Sequence, residues 1–242
     1  LDQQGRRAVH GHPGNDDAVV GPVVGPIPVG PADRARIPVA GPVARGDEVV
    51  ALDVQPAPGP VEIVTGSVTD NELVRQLAPG CQAIIHTAAL HGAHRDTHSF
   101  ADYIAVNVQG TQNLLQAAVD FGVKNFVYSS SAEVVIGRTW DSGGAMRYDE
   151  QAPTNPDWKY PVTKLMAEQL GWYYARYHGL RVAAMRYMAF GAEDERKIGV
   201  SLVARYLPTE DVAAANLRAA ELETMSFDVF NIGPDCPLPN ED

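Results

Sequence analysis

Basic residues and cysteines are both scarce in this chain of 242 residues. Lysine and arginine together number 19 against 30 aspartates and glutamates, so the formal net charge is -11. Because nucleic acids and anionic membranes attract basic patches, this balance argues against both as partners. The two cysteines, Cys81 and Cys236, provide neither a metal-binding spacing nor a disulfide framework, which fits a reducing compartment.

Long hydrophobic runs are also missing. No apolar run approaches the length that spans a bilayer, and the N-terminus lacks the basic start and apolar core of a secretion signal. We therefore expect a soluble protein of the cytoplasm. The chain begins at Leu1 rather than Met and stops at "PLPNED", just after a strand-like run, so we expect that its ends are cut.

From Glu48 onward, short runs rich in Val and Ile alternate with helical patterns. Such runs are typical of strands buried on both faces, as in a parallel sheet. The runs cover 48–54, 61–66, 81–89, 125–131, 181–190 and 227–232, and the helical patterns cover 69–78, 100–122, 160–179 and 209–222. The alternation predicts an α/β fold with a doubly wound parallel sheet of the Rossmann type and a small, truncated C-terminal substrate lobe.

Residues at the ends of these helical patterns predict where the helices begin and end. Thr69 and Thr209 are predicted N-caps, because a threonine hydroxyl can accept a bond from the first turn of a helix. Gly122 and Gly179 are predicted to stop their helices, because glycine readily adopts the left-handed conformation found there.

The first 43 residues do not follow this alternation. They carry prolines at positions 22, 26, 28, 31, 38 and 42, and a proline inside a helix costs roughly 3 kcal/mol and removes a donor from a strand. We therefore predict an irregular segment over 1–43, with at most a short extended piece around Val19–Val29. The Rossmann-like domain is predicted over 44–190, and a partial substrate-binding lobe over 191–242, interleaved with the last strand.

A tyrosine and a lysine lie four residues apart in "WKYPVTKLMAEQL". On a helix, Tyr160 and Lys164 would share one face. A free tyrosine titrates at about pH 10, but a neighbouring ammonium group favours the phenolate, so the pair could exchange a proton with a substrate hydroxyl near neutral pH. Taken alone the spacing is a weak signal, and an ordinary helix surface also accounts for it.

Serines support the chemical interpretation. "NFVYSSS" ends a predicted strand, so Ser131 would emerge at the carboxyl edge of the sheet, where ligands bind in open α/β folds. A polar cluster at a turn is the alternative for the serines considered by themselves. Together, Ser131, Tyr160 and Lys164 predict a proton-transfer site.

Four segments now carry a resemblance to a known family. "FVYSSS", "YPVTK", "NVQGTQNLLQAA" and "FDVFNIG" together resemble the extended short-chain dehydrogenase/reductase family, the NAD-dependent epimerases and dehydratases, over about Gly46 to Gly233. The resemblance implies that Tyr160 is the catalytic acid and base and that Lys164 lowers its pKa and holds the nicotinamide ribose. It further implies that Ser131 hydrogen-bonds the reacting oxygen and that Asn107 lies beside the cofactor.

Asp53 closes the run "EVVALD". A carboxylate at the end of a second Rossmann strand can accept both ribose hydroxyls of NAD, although an aspartate that ends a strand in a turn is the alternative. The resemblance implies that the adenine passes "TGSVTD", where Ser67 replaces a usual aspartate and contact falls to the backbone near Val68. It also implies that the small side chains of Ala88 and Ala89 let NAD approach.

The N-terminus conflicts with this resemblance. The family has a first strand followed by G-x-x-G-x-x-G, whose backbone N–H groups hold the pyrophosphate. Counting back from Asp53 places the motif at "GPADRAR", where Gly30 matches but Asp33 and Arg36 replace glycines. Three explanations stay open: a pseudoenzyme, a cofactor held differently, or out-of-frame or mis-assembled residues before about Ala44. The abrupt return of family-like sequence at "ARGDEVVALD" favours the third.

Substrate signals are fewer. Nucleotide-sugar epimerases usually end the strand after the catalytic helix with an asparagine, where this chain has Met188 and Ala189. Together with the short segment before "PTEDVAAANL", this difference favours a smaller substrate, such as a free sugar or a uronic acid. The predicted substrate residues are His91, Ser130 and Arg186. Arg186, Arg196 or Arg205 could bind a carboxylate, and a surface role is the alternative for each.

Four histidines lie in "HTAALHGAHRDTH", at positions 86, 91, 94 and 98. Histidine is a frequent zinc ligand, but no cysteine or carboxylate set accompanies these four, so we predict no metal. We expect His91 to line the substrate or cofactor cleft and the other three to face solvent.

Aromatic residues cluster along the helical pattern that contains Tyr160. We predict that Trp172, Tyr173, Tyr174 and Tyr177 pack against other residues rather than act in chemistry. The family resemblance implies a homodimer through helices 100–120 and 160–178, and part of this stripe would then lie in the interface.

These observations predict an NAD-dependent oxidoreductase, epimerase or dehydratase that acts on a sugar-like hydroxy compound. One alternative is a catalytically silent relative that binds a ligand or partner, which the altered glycine motif supports. Another is a truncated product without function. The Ser131, Tyr160 and Lys164 set favours the enzyme, since a silent protein has no chemical need for all three.

Overall fold

A computed structural model of the chain describes residues 20–24, 47–56, 61, 63–136, 149–190 and 206–233. The strands are β1 Val20–Val24, β2 Val49–Asp53, β3 Ile63–Thr65, β4 Ala83–His86, β5 Asn125–Ser131, β6 Arg181–Tyr187, β7 Ala189–Phe190, β8 Tyr206–Leu207 and β9 Phe227–Ile232. The α-helices are α1 Asn71–Leu77, α2 Phe100–Tyr103, α3 Gly110–Asp120, α4 Glu133–Ile136, α5 Lys159–His178 and α6 Thr209–Ala220. A 3-10 turn spans Gly92–His94, and a π-helical segment, Ile104–Gln109, joins α2 to α3.

Seven of these strands form one sheet in the order β3-β2-β1-β4-β5-β6-β9, and every pairing is parallel. The chain runs outward from β1 in one direction and from β4 in the other, so the strand order reverses between β1 and β4. This is the doubly wound arrangement, and its reversal point is where such sheets bind ligands. The predicted Rossmann-like fold is therefore confirmed. Strands β7 and β8 pair separately and were not predicted as a unit.

The centre of the sheet is occupied by a strand from the proline-rich segment. Strand β1 lies between β2 and β4, so the short extended piece expected around 19–29 serves as the first Rossmann strand. Its register shifts between Val20 and Val23 against both neighbours. Pro22 lies at that shift and has no N–H to donate, which explains the irregularity. The short extended piece allowed for in this segment is therefore present over these five residues; the rest of 1–43 lies outside the described residues.

Side chains of alternating strand positions build a core on each face of the sheet. In β5, Phe126 and Tyr128 contribute to the cluster under α1, α3 and α5, whereas Val127 contributes to the cluster under α6. All seven residues of β5 are buried, as expected for a parallel strand covered on both faces. Strand β9 pairs with β6, so the described part of the predicted C-terminal lobe belongs to this same α/β unit.

The helix N-termini differ from the prediction by one residue. Asp70, not Thr69, caps α1, and its Oδ1 accepts a bond of 3.1 Å from the backbone N–H of Leu73. The carboxylate has the stronger attraction to the positive end of the helix. Thr209 is the first residue of α6 rather than its cap, and Pro208 precedes it.

Helix ends follow the prediction more closely. Gly122 and Gly179 have φ angles of 73° and 71°, in the left-handed region that ends a helix at low cost for glycine. Within the part of the chain that the structure describes, no helix combines the length and apolar character needed to cross a membrane.

Candidate active site at the carboxyl end of β5

The structure brings the three predicted proton-transfer residues together. Ser131 is the last residue of β5, and helix α5 carries Tyr160 and Lys164 past that strand end. Lys164 is 2% exposed, and its Nζ donates a 2.6 Å bond to the backbone oxygen of Ser129. The same Nζ lies 5.7 Å from the centre of the Tyr160 ring. The Ser131 and Tyr160 side chains are hydrogen-bonded.

Burial controls the ionisation of both α5 residues. It lowers the pKa of Lys164 to about 7, against an opposing effect of Glu168. Burial also raises the pKa of Tyr160, and the nearby Glu133 raises it further, while the bond from Ser131 lowers it. The expected lowering of the Tyr160 pKa by Lys164 is therefore outweighed here. At neutral pH the half-buried Tyr160 is a phenol that can donate a proton, and Lys164 is poised between its two charge states.

Glu133 and Trp158 adjoin this site, and the sequence analysis did not identify either. The indole Nε1 of Trp158 donates a 2.7 Å bond to Glu133 Oε2, and burial raises the pKa of that carboxyl group. The Trp158 ring centre lies 5.5 Å from that of Tyr160. Glu133 follows Ser131 by two residues, and Trp158 precedes Tyr160 by two, so both could have been found by proximity in sequence alone.

Asn107, which is predicted to lie beside the cofactor, makes hydrogen bonds that join two segments of the chain. It lies in the π-helical segment and is buried, and all three of its side-chain bonds go to protein. Its Oδ1 accepts a 2.7 Å hydrogen bond from the backbone N–H of Leu90. Its Nδ2 donates two hydrogen bonds of 2.9 Å, one to the backbone oxygen of Leu90 and one to Thr163 Oγ1. The Thr163 hydroxyl in turn donates a 2.8 Å bond to the backbone carbonyl oxygen of Tyr160. Asn107 thus fixes the turn of α5 that carries Tyr160.

The residues predicted to hold NAD border the reversal point of the sheet. Asp53 ends β2 and is buried, with Oδ1 accepting a 2.9 Å bond from the N–H of Gln55. Ala88 and Ala89 follow β4 and are buried. A carboxylate at the end of β2 and small side chains after β4 fit a ribose-containing dinucleotide at this edge.

The two residues expected near the adenine are arranged differently from each other. Ser67 is bonded to a neighbouring hydroxyl, with 2.8 Å between its Oγ and Thr69 Oγ1. The carbonyl of the buried Val68 accepts a 3.0 Å bond from Asn113 Nδ2, so this oxygen is already used in fixing the loop to α3. The predicted glycine-motif positions, Gly30, Asp33 and Arg36, lie outside the described residues.

Two of the three predicted substrate residues, Ser130 and Arg186, share one partner in the interior, the carboxylate of Glu168. Ser130 Oγ donates to Glu168 Oε1 at 2.5 Å, and the buried Arg186 pairs with both oxygens of Glu168. Arg186 does bind a carboxylate, but one of this chain. His91 is half-buried, and its backbone oxygen accepts a 2.6 Å bond from the Tyr103 hydroxyl. Arg196 and Arg205 lie outside the described residues.

Two histidines expected to face solvent are buried. His94 is in the interior, and so is His86, whose Nε2 lies 2.9 Å from Thr111 Oγ1. Burial lowers the pKa of His86 to about 3, and Lys164 adds to that lowering. A histidine kept neutral packs like other aromatic residues, which explains the error. Among the described residues, no group of three or more His, Cys, Asp or Glu side chains is placed to hold a metal.

The aromatic stripe on α5 divides into one packed residue and three exposed ones. Tyr174 is buried, and its hydroxyl donates a 2.8 Å bond to Gln116 Oε1 on α3. Trp172, Tyr173 and Tyr177 are 45%, 46% and 65% exposed. The predicted packing role is therefore confirmed within the molecule for Tyr174, and it stays a prediction for the three exposed residues.

This chain is similar to several known proteins. It is 36% identical over 135 residues to a 3 beta-hydroxysteroid dehydrogenase/Delta 5-->4-isomerase of Mycobacterium tuberculosis, and this match covers 52% of this chain and 35% of that protein. It is 30% identical over 132 residues to a uronate dehydrogenase of Pseudomonas putida, covering 54% of this chain and 46% of that protein. The chain thus spans half or less of the length of these curated relatives.

This chain also matches a solved structure and the sequence model of a protein family. The structure of MoeE5 in complex with UDP-glucose and NAD matches with a TM-score of 0.69 and 27% identity, over 87% of this chain and 75% of that one. The sequence model of the NAD dependent epimerase/dehydratase family matches residues 42–207, and this range includes every site residue that the structure describes. This chain therefore belongs to the NAD dependent epimerase/dehydratase family.

Proposed function

We propose that this chain is an NAD-dependent oxidoreductase, epimerase or dehydratase that acts on a hydroxyl-bearing, sugar-like substrate. The observation that carries the proposal is the assembly of Ser131, Tyr160 and Lys164 at the carboxyl end of β5, beside the reversal point of the sheet. Membership of a family named for NAD-dependent epimerases and dehydratases supports it.

The proposed chemistry centres on the proton of the Tyr160 hydroxyl. Tyr160 donates this proton to a substrate oxygen, or accepts one from a substrate hydroxyl, while the Ser131 hydroxyl orients that oxygen through a hydrogen bond. When the Lys164 amine is protonated, it stabilises the phenolate form of Tyr160, because an ammonium group within about 6 Å favours the charged tyrosine. NAD, when bound, supplies the hydride chemistry.

Residues of this chain provide a place for the cofactor. Asp53 would accept the ribose hydroxyls, Ala88 and Ala89 would allow close approach, and Lys164 would hold the second ribose. Ser67 and Val68 would lie toward the adenine. The terminal carboxylate of β2 would also disfavour the extra phosphate of NADP.

A small substrate fits this chain better than a nucleotide sugar. Met188 follows β6 where the family's nucleotide-sugar enzymes usually have an asparagine that contacts a phosphate. The similarity to a uronate dehydrogenase supports a free sugar or sugar acid. The free thiol of the buried Cys81 and the net charge of -11 are in keeping with a cytoplasmic protein that does not bind nucleic acid.

A homodimer through the outer surface of α2, α3 and α5, with the π-helical segment between α2 and α3, completes the proposal. Six large hydrophobic side chains are exposed on α2, on the π-helical segment and on α5: Phe100, Ile104, Met166, Trp172, Tyr173 and Tyr177. On α5, the rings of Trp172 and Tyr173 both lie next to that of Tyr177. Exposed apolar clusters mark association surfaces, and a two-fold axis would bring the same residues of a second copy against them.

Calorimetric titration with NAD tests the proposed function. We expect Asp53→Ala to weaken NAD binding by about 10- to 100-fold, because a hydrogen bond to a charged group contributes about 1.5–3 kcal/mol. Asp228→Ala is the matched control, since this exposed aspartate lies on β9, at the other edge of the same sheet. No binding at millimolar NAD by a chain that unfolds cooperatively would overturn the enzyme proposal and leave the silent relative.

A further inference from the structure

A buried ion pair lies directly behind the proton-transfer residues. Arg186 Nε donates to Glu168 Oε1 at 2.9 Å, and its Nη2 donates to Oε2 at 2.7 Å, which makes the pair bidentate. The side chains of Arg186 and Glu168 are 5% and 2% exposed. The hydroxyl of Ser130 adds a third bond to the same carboxylate, at 2.5 Å to Oε1.

The backbone places this pair by two independent spacings. Glu168 follows Lys164 by four residues on α5, so both side chains lie on the helix face that covers the sheet. Ser130 and Arg186 are direct partners in the register between β5 and β6, so their side chains leave the sheet on the same side. The helix and the two strands therefore meet at the Glu168 carboxylate.

Stability alone does not account for such a pair. Removing two charges from water costs several kcal/mol for each ion, and apolar residues of similar volume often serve a core as well or better. A buried bidentate pair does, however, hold its partners in one geometry. Here it holds the middle of the Ser129–Ser131 segment, whose first residue accepts the bond from Lys164 and whose last residue is bonded to Tyr160.

We propose that Glu168 and Arg186 are positioning residues, which hold Lys164 and the Ser129–Ser131 segment in the arrangement that proton transfer at Tyr160 requires. The inference builds on the proposed function, because it assigns a role within the same site. Neither residue touches the reacting atoms in this arrangement. Their effect passes through Lys164 and the serine segment.

Charge gives the pair a second effect on Lys164. The Glu168 carboxylate raises the pKa of Lys164 and so opposes its burial. Loss of this carboxylate leaves Arg186 as an unpaired positive charge on the same side, which disfavours the ammonium form further. The groups that face Lys164 are His86 from β4, Tyr128 from β5, and Tyr160 and Glu168 from α5 itself, with Arg186 of β6 behind Glu168.

The titration of Lys164 is a direct test that needs neither substrate nor cofactor. The chain has four lysines, Lys124, Lys159, Lys164 and Lys197, so lysine labelled with carbon-13 at Cε gives a simple NMR spectrum. Lys164→Met assigns the signal. We expect wild-type Lys164 to titrate at about pH 7 and Glu168→Gln to move the titration to lower pH, with about a tenfold change in the ratio of its two forms.

A double variant separates positioning from packing. Glu168→Leu combined with Arg186→Met removes both charges and fills the space with apolar atoms, so we expect its stability to equal or exceed that of Glu168→Gln. If the pair is a positioning device, the double variant still shows the displaced Lys164 titration and binds NAD about tenfold more weakly than wild type. Ser130→Ala, which keeps both charges, should leave the Lys164 titration near its wild-type position.

Two results would overturn the inference. One is a double variant with the wild-type Lys164 titration and wild-type NAD affinity, because the pair would then serve packing alone. The other is a Glu168→Gln titration that does not move. Failure of the wild-type chain to bind NAD would instead count against the proposed function, since the Lys164 titration would still report on the pair.

Discussion

Helix α5 has two faces, and each departs in part from the pattern of an ordinary surface helix. Its inward face buries Lys164 and Glu168 against the sheet, whereas its outward face exposes Trp172, Tyr173 and Tyr177. A surface helix of a globular protein normally turns apolar residues to the core and charged residues to solvent. These departures agree with the two roles proposed above, proton transfer on the inward face and association of two copies on the outward face.

The largest expected effect is on the inward face. Tyr160→Phe removes the hydroxyl whose proton is transferred and keeps the ring, so we expect turnover to fall by about 100- to 10,000-fold. NAD affinity should change far less than turnover, because Asp53 and Lys164 remain to bind the cofactor. Steady-state rates with a panel of sugars and sugar acids, together with NAD titration, would measure both effects.

Tyr177→Phe is the matched control, because it makes the same change on the exposed face of the same helix. It should leave turnover at the wild-type level. Equal losses of turnover in the two variants would remove the distinction between the faces.

Next in size is an effect confined to the outward face. Trp172→Ser combined with Tyr177→Ser should weaken the proposed homodimer, because aromatic residues at the centre of an interface often contribute 2 kcal/mol or more each, that is, about 30-fold in the dissociation constant. Analytical ultracentrifugation over a range of concentrations would measure it. Gln169→Ser, at an exposed polar position of the same helix, is the control. A wild-type chain that is monomeric at every concentration would contradict the proposed dimer.

A smaller effect sharpens the comparison through pH. The folded pKa of Lys164 is about 7, below the value of about 10.4 for an unfolded lysine. Between those values the unfolded chain holds a proton that the folded chain has released, so stability rises with pH. We expect the difference in unfolding free energy between wild type and Lys164→Met to change by about 1–3 kcal/mol from pH 7 to pH 9 in favour of wild type.

Urea unfolding at both pH values would measure this difference, and the subtraction removes groups common to the two proteins. A difference that does not vary with pH would show that Lys164 keeps an ordinary pKa when folded. The inward face would then be an unremarkable packed surface.

Sequence patterns predicted the parts of the site that one element presents by itself. Tyr160 and Lys164 are close because a helix repeats every 3.6 residues, and Ser131 is at the sheet edge because an apolar run ends there. The Glu168–Arg186 pair was not predicted, since it depends on the register of β5 against β6 and on how α5 crosses both. Arg186 was predicted as a substrate residue from its residue type, which gives no sign of its pairing with Glu168.

Two further differences between prediction and structure also depend on the tertiary fold. The fold decides whether a histidine is solvated, so His86 and His94 in a polar-looking stretch gave no signal of burial. The proline-rich segment predicted only a short extended piece, because its place as β1 between two partners depends on strand pairing that the sequence does not show.

The side chain of Asn107 has a consequence for the order in which the site can form. Its three bonds connect segments that are 17 and 56 residues away in sequence, the turn after β4 and the first turns of α5. The hydrogen bonds between Leu90, Asn107 and Thr163 form only when all three segments are in place. A chain that has formed only its local helices therefore lacks this junction, because its bonds join residues that are far apart in sequence.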